Sequence, residues 1–139
     1  MKYLFIIVSL FSFLSAGEYE KNRSVVINTT DKLIWQDDVE VTEYLETFIT
    51  AEVYCDTIVL QGFDDWRVPS IYELLQIVDV NEKNAINKKF QFVKPNFYST
   101  STSFQDDDSF LWGVDFKTGK ITRDKKTNSN FIRCVRDVI

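Results

Sequence analysis

The sequence predicts an α+β domain held by one disulfide, and three observations carry that prediction. Two stretches in the middle of the chain repeat apolar residues at helical spacing. Segments on either side of them are short and β-prone, or alternate polar and apolar residues, between turn formers. The 139 residues also contain two cysteines, Cys55 and Cys134, in a chain whose first residues read as an export signal.

Residues 1–16, MKYLFIIVSLFSFLSA, read as a signal peptide and residues 17–139 as a single domain. Lys2 gives a positive start, Tyr3 to Leu14 an apolar run too short to span a bilayer, and Ser15, Ala16 and Gly17 a small-residue stretch that places cleavage after Ala16 or Gly17. An uncleaved anchor is the alternative. No cysteine follows the run, which excludes a lipid anchor there, and no later run is long enough to be a transmembrane segment. The expected location is periplasmic or secreted. In that setting the economical reading of the cysteines is a Cys55–Cys134 pair, with two buried free thiols as the alternative. The formal charge is −5, one unit more negative without Lys2. An acidic domain repels phosphate backbones, so no nucleic-acid partner is expected.

Gly17 to Arg23 is polar and reads as a frayed start. Ser24–Ile27 and Leu33–Gln36 are β-prone runs joined by the turn formers Asn28, Thr29, Thr30 and Asp31, an N-terminal hairpin. Asn22 and Asn28 each begin an N-x-[ST] triplet, and Glu20 precedes the first; the pattern is short and reads as chance occurrence. From Tyr44 to Ile58 the residues Tyr44, Phe48, Ala51, Cys55 and Ile58 step by four and three, a helical stripe that turns Cys55 inward. Thr47, Ile49 and Thr50 weaken that helix's intrinsic propensity. Gln61 to Pro69 is a tight turn in which Gly62 gives conformational freedom, Asp64 and Asp65 bond local N–H groups, Trp66 anchors, and Arg67 has a carboxylate within reach. The reading of Asp65, Trp66 and Arg67 is structural clamping.

A second helix has its start written out. Ser70 followed by Glu73 is a capping box, and Ile71, Leu74, Leu75 and Val78 give it a buried stripe. Asn81 to Lys94 is a long connection with Lys83, Lys88, Lys89 and Lys94 spread around Phe90, Phe92 and Val93. Phe97 to Ser103 reads as a hydroxyl-rich strand and Asp106, Asp107 and Asp108 as an acidic loop tip. Leu111 to Phe116 alternates, with Trp112, Val114 and Phe116 on one face; Thr118-Gly119 turns the chain and Ile121–Arg123 returns it as a hairpin. Phe131 to Val138 is expected to be the last strand, with Ile132 and Cys134 facing inward.

Cys55 to Ser70, C-x2-I-x-L-x-G-F-x-D-W-R-V-P-S, resembles the signature of the Legionella collagen-like protein C-terminal domain family, a bacterial extracytoplasmic group of domains of unknown function. Four further pieces agree in order: Leu33-Ile34-Trp35-Gln36; Tyr98-Ser99-Thr100-Ser101; Trp112 to Phe116 with Gly119; and Ile132-Arg133-Cys134-Val135-Arg136. The resemblance covers nearly all of the mature chain. It implies a C-type-lectin-like fold, related to formylglycine-generating domains, with two helices flanking a twisted, mainly antiparallel sheet, long loops on one side and a helix-to-last-strand disulfide. The chain departs from the family in carrying Phe97-Tyr98 where a tyrosine-tryptophan pair is common. It also departs from the calcium-dependent sugar-binding lectins of this fold, with Lys94-Pro95-Asn96 in place of an acidic or amide Pro-Asn/Asp triplet and no Trp-Asn-Asp downstream.

These residues leave little for catalysis. There is no histidine, which excludes Ser-His-Asp, Cys-His and histidine-zinc chemistry. Formylglycine-type chemistry needs free cysteines. Asp64 with Asp65, or Asp106 with Asp108, could act as paired acids, but adjacent loop acids read as solvated. The Asp106–Asp108 triplet lacks the glycine and distal glutamate of a calcium loop, so neither a metal nor a cofactor is expected. The reading is a non-catalytic binding module that presents Tyr98, Asp106, Asp107, Asp108 and Trp112 to a carbohydrate or cell-surface component, although the place of Trp112 in an alternating strand favours core packing for that residue. Stacking on a ring and carboxylate contacts to hydroxyls would supply the affinity. Binding of a sulfated polysaccharide, to which the resemblance also points, runs against the acidic charge unless Lys83 to Lys94 form a basic patch. The alternative is a structural or assembly protein of the envelope that acts through protein contacts.

Overall fold

A computed structural model describes residues 18–138; the segment read as a signal peptide lies outside the described residues. Among the described residues the fold is α+β: two α-helices, nine strands in two sheets, and one disulfide. Strands β1 (Tyr19–Asn22), β2 (Val25–Asn28), β3 (Leu33–Gln36) and β9 (Val135–Asp137) form one antiparallel sheet in that spatial order. The second sheet runs β4 (Leu45–Glu46), β8 (Asn130–Phe131), β5 (Phe97–Ser103), β6 (Phe110–Asp115), β7 (Lys120–Lys125), all antiparallel except β5 beside β8. The helices are α1 (Phe48–Thr57) and α2 (Ile71–Gln76). The single flanked sheet that the resemblance implies is divided into two.

The expected N-terminal hairpin is β2–β3, but the residues before it are not frayed. Residues 19–22 add a strand to its edge, because Tyr19 buries its ring and donates its hydroxyl to the Gln76 carbonyl at 2.9 Å while Lys21 pairs with the buried Asp37. Those partners lie far away in sequence. Asn28 is buried in the β2–β3 turn, where its amide bonds Asp31 and its carbonyl accepts from the Thr30 and Asp31 N–H groups. Asn22 is exposed.

The first helix starts four residues later than its apolar stripe suggests. Thr47 is the cap: its backbone N–H donates to the Thr50 hydroxyl at 2.8 Å, and the Thr50 N–H returns to the Thr47 hydroxyl at 3.4 Å. Two residues read as weakening the helix interior are instead its start signal. Leu45 and Glu46 pair with β8, and Tyr44 is exposed. Only Ala51 and Cys55 of the stripe are fully buried.

The capping box of the second helix forms as expected, with Ser70 N–H donating to Glu73 at 2.9 Å and Glu73 N–H to the Ser70 hydroxyl at 3.2 Å. The helix is shorter than its pattern. It tightens at Ile77, whose N–H reaches the Leu74 carbonyl, so Ile71, Leu74 and Ile77 are buried at a spacing of three while Leu75 is exposed. Val78 lies beyond the end, bridged to Ile86.

The last segment is not one strand. Residues 130–131 pair in the second sheet and 135–137 in the first, and Ile132, Arg133 and Cys134 make the buried step between them. Cys134 bonds Cys55, 79 residues earlier, from that step. Beside the bond lie Val25, Ala51, Trp66, Val68 and Ile132. The larger core gathers Trp35, Leu74, Ile77, Tyr98, Val114, Phe116 and Val135. Gly113 is required on β6 because the Phe97 ring and the Tyr98 carbonyl occupy the space a Cβ would fill.

Between the two clusters the Arg133 guanidinium is fully buried against Asp37, at 3.2 Å, and donates to the carbonyls of Gln36 and Phe92. Asp37 also accepts from the N–H groups of Gln91 and Phe92. Arg133→Met would leave the buried Asp37 with its charge only partly met and is expected to lower unfolding free energy by about 3–5 kcal/mol, read from urea denaturation. Replacing both cysteines by serine is expected to cost about 4 kcal/mol through the freed chain entropy of the unfolded state, read as the midpoint difference between the variant and the oxidised protein.

Candidate functional site

Where α1 faces the end of the 61–69 segment, the chain leaves an open groove of about 420 Å³, lined by Glu52, Val53, Asp56, Trp66, Arg67, Val68 and Ser101. That volume falls in the range of small-ligand sites. One wall is the outer side of α1, which carries Glu52, Val53 and Asp56 into solvent because Ala51 and Cys55 take the inner side. The floor is Trp66 and Val68, both nearly buried against the disulfide. Ser101 comes from β5, where its N–H and hydroxyl both donate to the Pro69 carbonyl and dock the strand on the loop.

The floor is held rigidly. Arg67 and Val135 exchange two backbone hydrogen bonds at 2.8 Å. The Arg67 side chain makes a two-pronged pair with Glu73 at 2.8 Å per bond and reaches Asp137 at 3.1 Å. Asp65 pairs with Arg136, at 2.6 and 3.1 Å, and the Arg136 guanidinium lies 3.6 Å above the Phe63 ring. Trp66 donates its ring N–H to the Phe63 carbonyl at 3.0 Å. Asp65, Trp66, Arg67, Ser70 and Glu73 are thus all bonded within the protein, and the main partner of Asp65 is not a neighbouring N–H group but a side chain 71 positions later. The Arg67 bonds, more than the Ser70 N–H, hold the Glu73 carboxyl below its usual value, and Arg136 does the same for Asp65.

The residues expected to meet a ligand do not assemble into one site. Tyr98 has no exposed surface. Its hydroxyl donates to the Val41 carbonyl at 2.6 Å and accepts from the Lys94 N–H, and its ring stacks on Phe131 and meets Phe116 edge-on. It is a core post and offers nothing to stack on. Trp112 is half-buried, edge-on to Phe104 at 5.1 Å and packed on the larger core. Asp106, Asp107 and Asp108 sit exposed on the β5–β6 loop, where Asp107 accepts from the N–H and hydroxyl of Ser109, bonds that keep its pKa low. Among the described residues, no group of three or more Asp, Glu or Cys side chains is placed to hold a metal.

The groove residues Glu52, Val53, Asp56, Val68 and Ser101 escaped the sequence reading. One signal was present: between Lys32 and Arg67 the chain has nine acids and no base. A second cavity of about 200 Å³ lies beside Gln36, Asp38, Glu40 and Ile58 to Leu60. Its polar groups are already engaged, since Gln36 donates to Asp38 and to the Tyr54 hydroxyl, which donates to Glu40. Burial there raises the Asp38 carboxyl, with Glu40 adding to the effect.

A carboxyl whose folded pKa is lowered stabilises the fold above its unfolded value and stops doing so as the pH falls through the folded one. For Glu73 the unfolded value is 4.5. The urea midpoint of the protein is therefore expected to fall as the pH drops below about 4.5, and Glu73→Gln to lose stability at neutral pH and show a flatter profile in that window.

Comparison with curated proteins finds no match. The family model of the Lcl C-terminal domain matches residues 24–136, from the start of β2 into β9 and across every wall of the groove. The chain belongs to the Lcl C-terminal domain family.

Proposed function

We propose that this domain is an exported, non-catalytic binding module of the periplasm or cell exterior, built on a C-type-lectin-like scaffold, that holds a carbohydrate or related cell-surface component in the α1 groove. The observation that carries the reading is the groove itself, which is open, of small-ligand size, apolar at its floor and polar at its rim. The side chains of Glu52 and Asp56 make no hydrogen bond or ion pair with the other described residues, so both carboxylates are free to accept from ligand hydroxyls. Val53, more than half exposed, supplies apolar surface beside them. The clamp beneath fixes these groups before a ligand arrives, which lowers the ordering cost of binding. A leader-like segment and a disulfide fit the exported setting, and the lack of any histidine fits a role without turnover.

A second reading, an envelope assembly protein acting through protein contacts, draws on Ile49, Val53 and Val59, which are 72%, 57% and 71% exposed on and just after α1. A glycan array probed with the protein and with Val53→Trp, which fills the groove, separates the two. Binding lost in the variant is the expected result. Silence on every glycan, together with one stoichiometric partner captured from envelope extract, moves the assignment to the second reading.

A further inference from the structure

We propose that the ligand segment seated in the α1 groove carries protonated amines: a hexosamine oligosaccharide with free amino groups, in preference to neutral or sulfated chains. The inference rests on the groove being the ligand site and adds the charge of what it takes.

Four carboxylates stand at or are bonded to the groove lining, Glu52, Asp56, Glu73 and Asp137, against one guanidinium, that of Arg67. Arg67 is already engaged by Glu73 and Asp137, so it offers little to an anion. No lysine lines the groove. An anionic ligand would enter a field of its own sign, whereas a cation meets uncompensated charge.

The position of the same two carboxylates on the helix adds to this. Glu52 and Asp56 are four residues apart on α1, where side chains of like charge repel each other. Asp56 also lies in the last turn, at the negative end of the helix dipole, and no basic residue is present there to offset it. Both placements work against the free helix, and one ammonium between the two carboxylates relieves both. Two carboxylates without a third suit an amine, which donates three hydrogen bonds, better than a divalent cation, which takes six or more ligands. The groove's size favours a short oligosaccharide over an extended protein surface.

The test is calorimetric titration of the disulfide-bonded protein with a β-1,4-glucosamine tetramer, its fully N-acetylated counterpart and tri-lysine. The expected result is binding of the glucosamine tetramer, at least about tenfold weaker binding of the N-acetylated one, and weakening by added salt. The double variant Glu52→Gln/Asp56→Asn should lose binding about tenfold or more while its melting temperature stays level or rises, since the like-charge repulsion is gone. Equal binding of the two tetramers, abolished by Val53→Trp, overturns the amine preference and leaves the groove as the site. Binding that Val53→Trp does not alter overturns the site as well. Tri-lysine binding as tightly as the glucosamine tetramer overturns the sugar assignment in favour of a basic peptide, and no binding of either cationic probe overturns the proposal.

Discussion

A guanidinium with no access to water must have its charge matched inside the protein, and Arg133 settles the arrangement of the whole chain by that requirement. Asp37 lies against it, Lys21 of β1 reaches the same carboxylate, and the backbone of the connection before β5 supplies both donors to Asp37 and an acceptor for Arg133. The Phe90 and Tyr98 rings flank the cation at 4.8 and 5.9 Å. Four stretches far apart in sequence must meet for this charge pair to form. A misregistered chain would leave a bare charge in an apolar interior, so the pair makes alternative packings costly.

The groove follows from the same closing step. Arg133 places Cys134 against α1 and sends β9 onward to the first sheet, where Val135 seizes the backbone of Arg67 and Arg136 seizes Asp65. Residues 65–67 are thereby pressed under α1. The helix is fixed from its inner side by Cys55, so its outer side with Glu52, Val53 and Asp56 remains free to form a wall. Rigidity under the groove and unpaired charge at its rim arise from one set of contacts.

The five motifs that set this chain in its family interlock in the structure. Gln36 of the first accepts from the Cys134 N–H of the last; Asp65 and Arg67 of the second bond Arg136 and Val135; Ser101 of the third docks on Pro69; Gly113 of the fourth makes room for Phe97. A motif spread along a chain is here the record of one packed junction, whose Trp66, Arg67, Val68 and Ser101 also line the groove. The aromatic residues that looked like stacking platforms are pieces of the same packing, as the hydroxyl contacts of Tyr98 show.

By itself the sequence determined the α+β class, the β2–β3 and β6–β7 hairpins and the capping box at Ser70 and Glu73, and it made the pairing of Cys55 with Cys134 the economical reading, because each depends on near-neighbour geometry or on there being two cysteines. Only the tertiary structure decided that residues 19–22 form a strand, that the last segment splits between two sheets, that Tyr98 is buried and that Glu52 and Asp56 edge a groove. Each of these turns on a partner tens of residues away. A side chain's periodicity says which way it points relative to its own helix or strand, but exposure is set by what the rest of the chain brings to that face.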